Sequence, residues 1–389
     1  MGTGQGSDVV VVGGGVIGLG VAWRCALRGA AVTVVDPEPG RGASWAAAGM
    51  LAPVTEVHYG EEALLTLNLA ANERWPGFAA ELAEHSGVDP GYVRCGTVVV
   101  ARDRDDLAAI DDLFAFQQQL GLDVERLGRR DLRRLEPGLA PRVRGGLLVA
   151  GDHQVDNRAL VRALLAAVER AGVRHRPVRA TAVATTGDAV TGVELDDGTR
   201  LRADTVVLAA GHASARLGGL PRDAVPPVRP VKGQLLHLRA RAGLAGGPVA
   251  TRTVRGLDVY VVSRPDGRVV VGATMEEQGD DTTVTAGAIR TLLRDAAELL
   301  PGVDELAFVE PVAGLRPASP DNAPLLGPTT VDGLVLATGH FRNGILLTPV
   351  TADGVAAVVC DGAVPDLLRP FDPRRFAQDA PTAAGGMAS

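Results

Sequence analysis

Apolar positions along this chain follow two spacings. Short continuous runs bounded by glycine or polar residues read as buried strands, and apolar residues three and four apart read as helices. The first run, Val9-Val10-Val11-Val12, turns through Gly13-Gly14-Gly15-Val16-Ile17-Gly18 into a helical stretch (19–28). A second apolar run (31–35) then ends at Asp36. Similar buried runs return at 202–208 and 333–337, the latter followed by a glycine turn and a predicted helix over about 345–359.

Between these lie segments of a different kind. Helices are predicted at 64–85, 105–120, 131–135, 157–170 and 286–300. Pro76-Gly77 offers a kink or split in the first, and Trp75 and Phe78 read as core. Asp156 is placed to cap the helix at 157. Strands are predicted within 92–101, at 146–149, 172–183 and 190–195, and then at 233–239, 258–263, 268–273 and 310–317 in antiparallel style. Asp196-Asp197-Gly198 signals a hairpin turn, and Pro226 to Pro230 a crossing between domains. Nucleotide-type segments therefore sit at the start, middle and end of the chain, with antiparallel segments between. The expectation is an α/β protein: a Rossmann-like domain (1–92, 152–226, 320–376) and an α+β substrate domain with an antiparallel sheet (93–151, 227–319), both discontinuous. The Ala/Gly/Pro/Ser-rich tail, 377–389, is expected to be disordered.

Composition narrows the function. The 389 residues are 46% hydrophobic and 22% charged with a net charge of −7, which gives no electrostatic case for nucleic acid or an anionic membrane. Lys232 is the sole lysine, so nearly all positive charge is arginine. Cys25, Cys95 and Cys360 are odd in number and widely spaced, against a disulfide framework or a thiolate metal site; no metal is expected. The start of the chain lacks a leader pattern, and no apolar run approaches the ~18 residues that span a bilayer. A cytoplasmic enzyme is expected.

The chemistry concentrates in the first turn. Gly13 allows the tight turn, Gly15 lets backbone approach a pyrophosphate, and Gly18 lets helix pack on strand. The helix N-terminus offers N–H groups and a positive dipole end to phosphate. Asp36, 18 residues beyond Gly18, suits a ribose 2′-hydroxyl. These residues read as an adenine-dinucleotide site without choosing NAD or FAD. After a Pro/Gly loop, the small residues 46–50 either lie against a flat ligand or begin a tightly packed helix. His153 reads as a loop or structural histidine.

Three stretches together resemble the D-amino-acid-oxidase-like family of FAD-dependent amine oxidases. They are the Gly13–Asp36 unit, the Arg41–Met50 loop ending Ala-Ala-Ala-Gly-Met, and Ala337-Thr338-Gly339-His340-Phe341-Arg342-Asn343-Gly344. Within it, Val271-Gly272-Ala273-Thr274-Met275 and Ala313-Gly314-Leu315-Arg316-Pro317 resemble the glycine-oxidase group linked to thiamine biosynthesis. The resemblance implies FAD pyrophosphate contacts at Gly13, Gly15, Val16, Ile17 and Gly18, and a ribose site at Asp36 and Pro37. It implies a flavin lined by Ala43, Ser44, Ala48, Gly49 and Met50, adenine met by the backbone of Val178, and N–H groups for the flavin's pyrimidine edge from His340, Phe341, Arg342, Asn343, Gly344, Ile345 and Leu346. Relatives that oxidise sarcosine attach flavin through a cysteine near 316–321 and place a lysine over the ring. This chain has no cysteine there and Met275 at the likely lysine position, so FAD is expected to bind non-covalently.

For the substrate, a small amino acid, the resemblance implicates Tyr260, Met275, Arg316 and Arg342. Arg316 also has a physical case, since a guanidinium pairs bidentately with a carboxylate. Some glycine oxidases carry histidine two residues before the tyrosine; here it is Asp258. The implied reaction is oxidative deamination of glycine: hydride passes from Cα to FAD, the imine gives glyoxylate and ammonia, and O₂ is reduced to hydrogen peroxide. Sarcosine, D-alanine, D-proline or another small amine is the alternative substrate. The resemblance further implies a homo-oligomer and transfer of the imine to a thiazole synthase.

Overall fold

The computed structural model describes residues 7–241 and 249–379. An eight-stranded sheet is organised around Ser7–Val12, which pairs in parallel with Val32–Val35 on one side and Arg200–Leu208 on the other. Arg174–Arg176 extends it beyond Val32–Val35, and Leu334–Thr338 pairs in parallel with the end of Arg200–Leu208. Leu325–Pro328 and the hairpin Ala180–Thr186/Ala189–Leu195 complete it in antiparallel fashion. The first strand reads as one apolar run because both faces are covered. Val9 and Val11 join a core with the helices Val16–Leu27, Glu62–Ser86, Asn157–Arg170 and Thr348–Asp361, whereas Val10 and Val12 join a second core with Val183, Val193 and Leu208.

The second eight-stranded sheet runs in the order Ala307–Ala318, Arg229–Arg239, Arg268–Gly272, Tyr260–Ser263, Thr253–Arg255, Thr97–Ala101, Gly145–Val149, Glu125–Gly128. It is antiparallel except between Thr253–Arg255 and Thr97–Ala101. A small sheet of Met50–Leu51, His153–Val155 and Tyr92–Val93 completes the strands. The chain is thus α/β, with a parallel-cored sheet and a separate, largely antiparallel one.

Several elements differ from the sequence reading. The helix predicted at 64–85 spans Glu62–Ser86 and continues through Pro76, anchored by fully buried Trp75 and by Phe78. The strand expected at 172–183 divides into Arg174–Arg176 and Ala180–Thr186. Pro177 has no N–H for the ladder, and the Val178 N–H turns back to the Arg176 carbonyl at 2.9 Å. The stretch 92–101 divides at Gly96 (φ +74°) between two sheets. The last helix begins at Thr348 rather than 345, with Pro349 in its first turn, where a missing N–H costs nothing. The expected disordered tail falls largely outside the described residues; Pro373–Asp379 forms a 3₁₀ helix. Cys25 and Cys360, far apart in sequence, adjoin between the first and last helices as free thiols, and burial pushes the Cys25 thiol well up. Among the described residues no helix is long and apolar enough to cross a membrane.

Candidate active site

A single cavity of about 1180 Å³ runs from the first glycine turn, between the two large sheets, to the face of the antiparallel sheet that carries Tyr260 and Arg316. At its nucleotide end the three glycines occupy distinct positions. Gly13 has φ +107°, and a Cβ there would overlap the backbone of Ala209. A Cβ on Gly18 would strike the Gly13 carbonyl, so this glycine sits behind the wall. At Gly15 a Cβ would meet only Ser44 Oγ, at 3.1 Å, and would otherwise fill the cavity. Gly15 offers no capping side chain to the helix beginning at Val16, and Val16 N–H donates instead to Ser44 Oγ at 3.1 Å. Ile17 and Pro37 also line this end.

Asp36 is already engaged. Its Oδ2 accepts from Gly14 N–H at 2.7 Å and its Oδ1 from Glu38 N–H at 2.8 Å. Each carboxylate oxygen retains a lone pair for a hydroxyl. Val178 is packed beside the second core, and its neighbours Arg179, Ala180 and Thr181 form the wall instead.

Of the small-residue run, only Ala46 is helical, so the run does not begin a helix. Ala43–Ala46 is a one-turn helix, after which Ala47 is extended and Gly49 turns the chain into Met50–Leu51. Gly49 has φ +77°, and a Cβ there would collide with the Val155 carbonyl and crowd Arg264. Arg264, buried and unmarked by any motif, lies beneath this loop. Its guanidinium donates to the Ala48 carbonyl and to Gln154 Oε1, each at 2.5 Å. Burial lowers its pKa to about 10, so it remains charged at neutral pH.

The far wall is one face of the antiparallel sheet. Tyr260 is paired across the ladder with Arg255 on one neighbour and Gly272 on the other, which aligns Arg255 and Tyr260 on the same face. The Tyr260 ring lies over Gly272, where a Cβ would overlap it, and the Arg316 guanidinium lies in the same way over Gly233. Arg316 donates to the Thr274 carbonyl at 3.2 Å and the Lys232 carbonyl at 3.4 Å, and no carboxylate pairs with it among the described residues. Burial pushes the Tyr260 phenol up to about 12, so it stays a neutral donor. Met275 borders the cavity but is 61% exposed. Asp258 stands at the rim, 3.5 Å from Arg102.

The segment His340–Leu347 is a turn rather than the helix start expected. Phe341 adopts φ +45°, and its N–H donates to the Pro317 carbonyl at 2.9 Å. His340, Phe341, Arg342, Gly344 and Ile345 line the cavity. Asn343 and Leu346 are packed behind, with the Leu346 carbonyl accepting from Trp75 Nε1 at 2.8 Å. His340 Nε2 lies 3.1 Å from Thr351 Oγ1, and burial pushes its pKa down to about 3, leaving it neutral. Arg342 pairs with Glu61 at 3.0 Å, while its Nε is buried without a hydrogen-bond partner. Glu61, Arg255, Arg264 and Glu56 were not distinguished in the sequence because nothing local marks them.

A shape that a dinucleotide would fill, with a glycine cradle at one end and a guanidinium free of any carboxylate at the other, suits FAD with an amino acid beside it. Residues 8–358 match the family profile DAO, FAD dependent oxidoreductase. The bifunctional protein ThiO/ThiG of Synechocystis sp. is 37% identical over 374 residues, which cover 95% of this chain and 54% of that protein. The chain thus spans about half the length of such a relative. Glycine oxidase from Geobacillus kaustophilus is 34% identical over 356 residues, covering 90% of this chain and 92% of the relative. The crystal structure of glycine oxidase from Geobacillus kaustophilus superposes with a TM-score of 0.86 at 32% identity, covering 94% of this chain and 98% of that one.

Proposed function

Because the chain belongs to the DAO family of FAD-dependent oxidoreductases, we propose that it oxidises glycine, yielding glyoxylate and ammonia by way of the imine. FAD bound in this cavity would supply the two-electron acceptor, with O₂ as the final oxidant and hydrogen peroxide as its product. The glycine turn at Gly13 and Gly15 and the start of the helix at Val16 would hold the pyrophosphate, and the loop Ala48–Met50 and the turn at His340 would flank the flavin. The cavity wall contains no cysteine, which supports non-covalent attachment.

The observation that carries the reading is the state of Arg316. Arg255 and Arg342, the other arginines at this end, are paired with Glu56 and Glu61, whereas Arg316 bonds only carbonyls. One guanidinium without an acidic partner matches one carboxylate. The Tyr260 phenol on the same face adds a neutral donor, and together they orient Cα by fixing the carboxylate. No acid–base pair is required of the protein if the substrate binds as the neutral amine.

A visible spectrum of the purified protein, taken anaerobically before and after glycine and then in air, tests this. Bleaching that recovers in air with peroxide is expected. Bleaching by sarcosine or a D-amino acid but not glycine would change the substrate, and a protein without flavin would overturn the reading. The bifunctional ThiO/ThiG relative supports a second step in which the imine passes to a thiazole-forming partner.

A further inference from the structure

The pair formed by Glu56 and Arg255 takes no part in the reaction above, yet it stands in the wall of the substrate cavity. Arg255 Nη1 lies 2.7 Å from Glu56 Oε1, and the side chains are only 21% and 13% exposed. Arg255 is the cross-strand neighbour of Tyr260. Two strand spacings, about 10 Å, separate its strand from the one beneath the Tyr260 ring, a distance that a long guanidinium side chain can largely bridge.

Glu56 is held in place from below. The buried carboxylate of Asp152 accepts from Val54 N–H at 3.2 Å, Thr55 N–H at 2.8 Å and Thr55 Oγ1 at 2.7 Å. Gln117 Nε2 donates to the Val54 carbonyl at 3.0 Å. The turn that presents Glu56 is therefore fixed by side chains on two other segments, Asp152 and Gln117. A partly buried ion pair contributes little net stability, because desolvation offsets the attraction. Its effect on charge is larger. With the pair intact, Arg255 offers the cavity no uncompensated charge, and the other carboxylates near it are themselves engaged, Asp258 with Arg102 at 3.5 Å and Asp295 with Arg294 at 2.8 Å.

We propose that Glu56 is a specificity-determining residue. By neutralising Arg255 it restricts the site to monocarboxylic amines, and its removal converts Arg255 into a second carboxylate clamp. The class of substrate excluded is a small amine with two carboxylates, of which iminodiacetate, glycine bearing a second carboxymethyl group on nitrogen, is the simplest. Glu56 would act through Arg255 and by repelling the second carboxylate itself, and both effects have the same sign.

The proposal rests on the glycine reading for its reaction, so one arm of the test is independent of turnover. In the FAD-loaded protein, acetate and malonate are titrated against the visible flavin spectrum, and the rate of anaerobic flavin reduction is measured with glycine and iminodiacetate. Glu56→Gln should raise the malonate-to-acetate affinity ratio and the iminodiacetate-to-glycine ratio about tenfold or more, the scale of one charge-assisted contact. Glu56→Gln combined with Arg255→Met should return both ratios to near the wild-type values. Unchanged ratios in Glu56→Gln, or a gain that persists in the double variant, would overturn the proposal. Should Glu56→Gln not hold flavin, Arg255→Met alone decides: the malonate ratio should fall below wild type, and a constant or higher ratio overturns it. A wild-type protein inert to glycine would remove the functional reading while the malonate titration still judged Glu56.

Discussion

The guanidinium of Arg316 lies flat against the backbone of Gly233, on the neighbouring strand, in space that any side chain would take. The proposed carboxylate anchor would therefore depend on the absence of a side chain on another segment of the chain. Gly233→Ala would press on the movable end of Arg316 rather than on backbone, so the fold should survive. We expect kcat/KM for glycine to fall about tenfold, near 1.4 kcal/mol, with FAD content and Tm little changed. Stopped-flow flavin reduction with parallel flavin quantification checks it; equal activity in the variant would mean that Arg316 does not act from this position.

Arg316→Lys keeps the charge but removes the planar fork. The lysine would lose the donors that now reach the Thr274 and Lys232 carbonyls and would meet a carboxylate as a point charge. A loss of about 100-fold in kcat/KM is expected, the scale of a charged hydrogen-bonding contact. The flavin spectrum of the free protein should be unaltered, and a matching loss of FAD would assign Arg316 to the cofactor instead.

The contrast between these residues shows what the sequence could and could not disclose. The unit from Gly13 to Asp36 was legible because strand, turn and helix are contiguous and each glycine's role follows from its spacing. The helix cap at Asp156 was legible for the same reason, and its carboxylate accepts from Arg158 and Ala159 N–H. Arg316 could be named as a carboxylate ligand from its chemistry, but Gly233 could not be named as its platform, since their relation exists only once two strands align. That Arg342, also named for the substrate, pairs with Glu61, 281 residues earlier, was equally invisible before folding. Arg264, Glu56 and Arg255 were hidden among abundant arginines and acids for the same reason: no local pattern separates a paired cavity charge from a solvated one.

Arg264 sits under the loop proposed to flank the flavin and binds the Ala48 carbonyl directly. Arg264→Met would leave that carbonyl and Gln154 Oε1 without their donor, at about 1–3 kcal/mol for each unsatisfied group. The loop should loosen, and FAD should bind to the apoprotein at least tenfold more weakly, about 1.4 kcal/mol. Isothermal titration of apoprotein with FAD measures this, and Arg264→Lys should recover part of the affinity. An unchanged dissociation constant with a lowered Tm would limit Arg264 to the core.

Stability should also depend on pH in the mildly acidic range, with a sign set by buried histidines. His340 is pushed down to about 3 by burial, and His237 to about 4 by burial and then by Arg158, with Glu310 opposing and Arg264 and Arg268 adding smaller contributions. An unfolded histidine, near 6.5, takes up a proton that the folded one refuses. Each therefore contributes stability that is present above pH 6.5 and lost as pH falls toward its folded value. His58, His153 and His212 are lowered too and act in the same direction. Asp152 opposes them. Burial raises its carboxyl to about 7, so its contribution is lost as pH rises from 3.8 to 7. Burial raises the Asp353 carboxyl as well, in the same direction as Asp152, but the two strongly depressed histidines, joined by three others, outweigh the two raised carboxyls, and the protein should lose stability from pH 6.5 to 4. His340→Asn, which keeps a polar partner for Thr351, removes one of those protons and should lessen the slope by up to about 1.4 kcal/mol per pH unit. Urea unfolding of both proteins at saturating FAD across this window measures the difference, and parallel curves would show that His340 is protonated in the folded state.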